Sequence, residues 1–184
     1  MNDRYQEHRT PTPASAAEEQ AATRIDRAQT ELRHGRAIRL IDRDKPGEAS
    51  ADSCVVAAVE ALTEPRLRWM SSLGASVHLL LTIERALALG IEADSTGSLA
   101  ATSLRLRLPD DISLDALLGL AAVTSSGLSA VAALPEWAAS ERTPPVRAVA
   151  MDSALQLARR ARLIPALLVV DVSAALEPAL AAEQ

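Results

Sequence analysis

The segment VRAVAMDSALQLARRARLIPALLVVDV, Val146 to Val172, limits the fold more than any other stretch, because helical periodicity gives way within a few residues to an apolar run. Met151, Ala154, Leu155 and Ala158 recur at helical spacing. Asp152 stands at the positive N-terminal end of that helix, and Arg159, Arg160 and Arg162 stand at its negative C-terminal end. Pro165 stops the helix, and Ala166 to Val172, short and rich in valine, reads as a strand covered on both faces. A loop, a helix and a buried strand in series call for a layered arrangement of helices and sheet. Polar residues at the first junction stand where such domains usually hold ligands.

The rest of the chain repeats this alternation. Ile25, Ala28 and Leu32 mark a helix that Gly35 is placed to end in a left-handed conformation, and Ala37 to Asp42 follows as a strand. Lys45 to Ser53, with Pro46 and Gly47, reads as a loop before a helical or extended stretch from Cys54 to Ala61. Thr63 is placed to cap a helix burying Leu67, Met70 and Leu73 that ends at Gly74. Ser76 to Leu81 reads as a buried strand, and Thr82 caps a short helix closed by Gly90. Thr102 to Leu108 alternates leucines with Arg105 and Arg107, which predicts a strand with one wet face. Ser113 caps a helix through Leu114, Leu117, Leu118 and Ala121, and Ala132 to Val146 reads as an exposed connection. The expected fold is one α/β domain of layered α+β type, a mixed sheet flanked by helices. Residues 1–22 are expected as a disordered tail, 23–173 as the domain and 174–184 as a short C-terminal tail.

Composition narrows the functional classes. A single cysteine, Cys54, allows no internal disulfide framework and reads as a small core residue. The polar N-terminus lacks an apolar segment of signal-peptide type, so a cytoplasmic location is expected. The uncharged run between Asp115 and Glu136 is interrupted by Thr124, Ser125, Ser126, Gly127 and Ser129, and no basic cluster flanks it, so no membrane span is expected. A net charge of −5 and an aromatic content of 2% argue against nucleic-acid binding, which uses a basic face and stacking rings.

Several segments resemble the 3,4-dihydroxy-2-butanone 4-phosphate synthase family, in that family's order. IDRAQTELRHGRAIRLID, Ile25 to Asp42, is similar to its opening helix and first strand. AVEALTEPRLRWM, Ala58 to Met70, is similar to its Ala-Ala-Glu-Phe-Val-Thr-Pro-Glu segment, with Glu60 and Thr63 matching in place. LLTIERALALGI, Leu80 to Ile91, is similar to its Leu-Thr-x-Glu-Arg-Ala-x-x-Leu-Gly-Leu segment. Val146 to Val172 resembles the family's closing helix and strand, and Arg147 falls on the family arginine. Val149, Ala150, Met151 and Asp152 stand where the family has Gly, His, Thr and Glu, so the family's metal-ligating histidine is replaced by Ala150.

The acidic loop is also stripped. Counting back from Glu60, the family's Arg-Glu-Asn-Glu-Gly-Asp run falls on Ala49, Ser50, Ala51, Asp52, Ser53 and Cys54, where only Asp52 keeps a carboxylate. The family's threonine-rich middle segment is replaced by LRLPDDISLDALLGLA. The resemblance implies magnesium as the family's cofactor, but its ligands are mostly absent, so no cofactor and no metal site are expected here. The substrate-binding candidates are Arg147, Asp152 and Asp52. Arg147 and Asp152 either hold a phosphate and a hydroxyl of a sugar ligand or pair with each other or cap the helix. Asp52 is either a ligand contact or a solvated loop acid. His78 reads as a packed or hydrogen-bonded strand histidine, and Arg105 and Arg107 as a solvated face or an anion patch. No nucleophile elbow supports a serine triad.

This combination is similar to the degenerate synthase-like domain found ahead of GTP cyclohydrolase II in some bacterial riboflavin proteins. The resemblance implies a non-catalytic domain linked to riboflavin biosynthesis, acting as a homodimer or in support of a cyclohydrolase domain or partner. The alternative is an active lyase that converts ribulose 5-phosphate to 3,4-dihydroxy-2-butanone 4-phosphate and formate, or a related phosphosugar enzyme.

Overall fold

Leucine and valine alternate between two faces along the central strands, and helices cover both. The computed structural model describes residues 13–41, 53–73, 76–91, 103–122, 129, 140–142 and 145–172. In chain order the elements are α1 (Pro13–Arg33), β1 (Ile38–Ile41), β2 (Ser53–Ala58) and a 3-10 turn (Val59–Ala61). Next come α2 (Glu64–Ser71), β3 (Val77–Thr82), α3 (Ile83–Ala88), β4 (Ser103–Arg107) and α4 (Leu114–Ala122). The described chain closes with β5 (Ser140–Arg142), α5 (Pro145–Arg160) and β6 (Ala166–Val172). The expected loop from Lys45, the stop at Gly74, most of Ala132 to Pro144 and both chain ends lie outside the described residues.

The strands form a six-stranded sheet in the order β1-β2-β6-β3-β4-β5. Every described pairing is antiparallel, where a mixed sheet was expected. The layered α+β class holds. Burial on both faces is common to parallel sheets, and here helices impose it on an antiparallel one.

Strand β6 lies between β2 and β3, with Val55 opposite Val170 and Val170 opposite Val77. Leu168, Val170 and Val172 face a core shared with Leu67 and Met70 of α2 and Leu117 and Leu120 of α4. Leu167 and Val169 face the opposite core, with Leu32 of α1 and Met151, Ala154, Leu155 and Ala158 of α5. Two covered faces account for the valine-rich run, since each fully buried leucine or valine contributes about 1.5–3 kcal/mol.

The turns follow their glycines. Gly35 has φ +69, and its following residue closes α1 by a hydrogen bond from the Arg36 N–H to the Glu31 carbonyl. A Cβ at Gly35 would strike the Ala61 carbonyl oxygen, so the site needs glycine for space as well as for conformation. Helix α5 ends the same way without a glycine: Arg162 has φ 60, and the Leu163 N–H reaches the Ala158 carbonyl at 3.0 Å.

Several local expectations are corrected. Helix α1 starts at Pro13, extending back into the segment read as a tail, where alanine, glutamate and glutamine are good helix formers. Thr63 occupies the N-cap of α2 but makes no side-chain capping bond, and Pro65 sets the first turn instead. Thr82 and Ser113 do cap, accepting from the Arg85 and Ala116 N–H groups. Arg105 is buried and not on a wet face, while Arg107 is exposed. No helix among the described residues is long and apolar enough to cross a membrane.

Candidate functional site

Helix α5 and strand β6 are joined by a short turn, Ala161 to Pro165, so they run in opposite directions. Sixteen helical residues span about 24 Å, and seven strand residues about 23 Å. The start of α5 therefore lies level with the end of β6. The sheet brings the start of β2, the start of β3 and the end of β4 to this same level: Cys54 pairs with Asp171, and His78 pairs with Val169 and Arg107.

On the face shared with α5, this end of the sheet carries a polar cluster. Arg105 of β4 donates from Nη2 to Asp171 of β6 at 2.8 Å, across the intervening β3. The same Nη2 lies 3.0 Å from His78 Nδ1, and His78 Nδ1 lies 3.1 Å from the Ser76 carbonyl oxygen. The two contacts make opposite demands on Nδ1: Arg105 only donates and needs a bare Nδ1, whereas the Ser76 carbonyl only accepts and needs Nδ1–H, so each tautomer of His78 makes one of them. The Arg105 side chain is 5% exposed and that of Asp171 35%, so the pair sits at the rim of the core and not in open solvent. The Arg105 Nε is buried with no hydrogen-bond partner among the described residues.

Asp52 lies outside the described residues. Arg147 is in the first turn of α5, because Pro145, with its preset φ, already opens the helix; it does not sit in a loop. Asp152 is consequently well inside the helix and cannot cap it, and no acidic residue stands in the first turn. Asp152 is half-buried, and its Oδ1 is buried with no hydrogen-bond partner among the described residues.

Glu60, which matches the family segment, has a structural role on this chain: its Oε2 accepts from the Ile164 N–H at 2.7 Å and ties the 3-10 turn to the approach of β6. Magnesium requires several oxygen ligands in a near-octahedral array. Among the described residues no group of three His, Cys, Asp or Glu side chains could hold a metal ion. With Asp171 engaged by Arg105, the described donors do not fit such a site.

No family model matches the chain, and no curated protein matches it. The chain is similar to two solved 3,4-dihydroxy-2-butanone 4-phosphate synthases. One is RibBX, a two-domain synthase from A. baumannii, at 19% identity over 80% of this chain and 47% of that one, with a TM-score of 0.49. The other is the synthase of Candida albicans, at 17% identity over 80% of this chain and 79% of that one, with a TM-score of 0.47. The chain spans about half the length of the RibBX chain it matches.

Sequence reasoning read His78 correctly as a packed, hydrogen-bonded residue and missed that Arg105 and Asp171 complete its surroundings. One signal was present: Asp171 is the only charged residue in an otherwise apolar strand, and an acid so placed calls for a cation nearby.

Proposed function

We propose that this chain is a domain of synthase-like fold, linked to riboflavin biosynthesis, that does not carry out the synthase reaction. It acts by association, as a homodimer or in support of a GTP cyclohydrolase II domain or partner. The observation that carries this reading is the mutual engagement of His78, Arg105 and Asp171 at the end of the sheet where α5 begins. These groups hold one another in place of a substrate, and Ala150 supplies no imidazole in the helix above them. The link to the family rests on the sequence segments, which fold here as α1 with β1, the 3-10 turn with α2, β3 with α3, and α5 with β6. Incubation with ribulose 5-phosphate and Mg²⁺ tests it: no protein-dependent formate is expected, and its appearance overturns the reading.

One observation favours a second reading, a lyase that splits ribulose 5-phosphate into 3,4-dihydroxy-2-butanone 4-phosphate and formate. Asp152 holds a buried carboxylate oxygen without a hydrogen-bond partner among the described residues, at the position of the family glutamate. Arg147, Asp152 and Asp52 would then be its substrate-binding residues. Loss of formate production on replacing Asp152 with Ala is the result that reading requires.

A further inference from the structure

Positive charge gathers along β1, the last strand at one side of the described sheet. A groove of about 770 Å³ runs along β1 between α1 and α2, a volume within the usual range of about 300–1,000 Å³ for small-ligand sites. Its walls carry Arg24 and Arg27 from α1, Arg36 from the turn before β1, Arg39 from β1, and Arg66 from α2, against a single acid, Glu31. Five of the chain's 19 basic residues meet in this one concavity although the net charge is −5.

Charged residues often guard an exposed edge strand. Here the arginines converge from α1, β1, α2 and the turn between α1 and β1, and three of them are held in position. Arg39 donates to Ser53 Oγ at 3.2 Å, the Arg66 guanidinium sits 4.9 Å from the centre of the Trp69 ring, and Arg36 is paired through both Nε and Nη2 with the Glu31 carboxylate, which leaves its remaining N–H groups for a ligand. Arg24 and Arg27 lie one helical turn apart, are exposed, and make no ion pair among the described residues. Fixed guanidinium forks with free neighbours recognise phosphate oxygens in bidentate fashion.

We infer that this groove binds a small ligand carrying two phosphate groups. One phosphate is satisfied by two or three such forks, whereas the arginines here are distributed over both walls and the floor of a space larger than one phosphate. An extended nucleic acid fits less well, given the scarcity of stacking rings in the chain. The inference is independent of the synthase reading, since no residue of the α5 site lines the groove.

Trp69 lines the groove and reports on it once Trp137 is replaced by Phe. Titration of the Trp137→Phe protein with inorganic pyrophosphate at low salt is expected to shift the Trp69 emission saturably, with orthophosphate at least about tenfold weaker. Replacing Arg24 and Arg27 together with Glu is expected to weaken pyrophosphate at least about tenfold. The equal charge change at exposed Arg159 and Arg160 leaves it within about twofold. Absence of a saturable shift up to about 10 mM, a weakening of similar size in both double variants, or equal affinity for orthophosphate overturns the inference.

Discussion

Arg105 and Asp171 form an ion pair across β3, joining β4 to β6 with 2.8 Å between Nη2 and Oδ2. Removing Asp171 alone leaves a guanidinium buried without its counter-charge. Asp171→Ala is expected to cost about 2–4 kcal/mol, toward the lower end because the aspartate is partly exposed. Arg105→Met combined with Asp171→Ala should recover most of that loss, because it removes the buried charge together with its partner. Urea midpoints of the wild type, both single variants and the double variant measure the coupling. Simple additivity would show that the pair does not hold this end of the sheet together.

Gly35 and Gly90 both have positive φ, yet only Gly35 faces another backbone. Gly90→Ala should cost about 1 kcal/mol from conformation alone. Gly35→Ala adds a collision with the Ala61 carbonyl, so its cost should exceed about 2 kcal/mol. Thermal unfolding of the two variants compares them directly, and equal losses would refute the close approach.

Arg162 ends α5 in a left-handed conformation that glycine adopts without strain. Arg162→Gly is therefore expected to raise stability by up to about 1 kcal/mol, despite the added freedom of the unfolded chain. A lower denaturation midpoint would mean that the arginine side chain makes a compensating contact.

Much of the fold was legible because its signals are local. The helical spacing of Met151 to Ala158, the stop at Pro165 and the valine run located the body and end of α5 and the whole of β6, and the caps at Thr82 and Ser113 behave as their sequence suggests. Strand direction was not legible, since burial on both faces of β6 follows from helix placement in parallel and antiparallel sheets alike. Arg105 was misread for a related reason: alternation identifies the two faces of a strand but not which of them another element covers. The candidate site was legible only in part. Pro145 moved the helix start back, taking Asp152 away from the N-terminus, and the partnership of Arg105 with Asp171 depends on a pairing of strands distant in sequence.

Glu84, in the first turn of α3, has its carboxyl held below the ordinary value of 4.5 by hydrogen bonds from its own backbone N–H and from the Thr82 hydroxyl. Its folded pKa is lower than its unfolded one, so the stabilisation is fully present above about 4.5 and fades as pH falls through the lowered value. Glu84→Gln should flatten this part of the acid limb and leave the limb near neutrality unchanged. Because the group is exposed the effect is small, and stability curves from pH 7 down to about pH 3 are the measurement. A steeper acid limb in the variant would reverse the sign and refute the assignment.

The central claim is that the polar groups where α5 begins serve the structure and not the synthase reaction. Formate released from ribulose 5-phosphate in the presence of Mg²⁺ tests it most directly. The account predicts release no faster with the protein than without it. Protein-dependent formate that disappears in Asp152→Ala would contradict it.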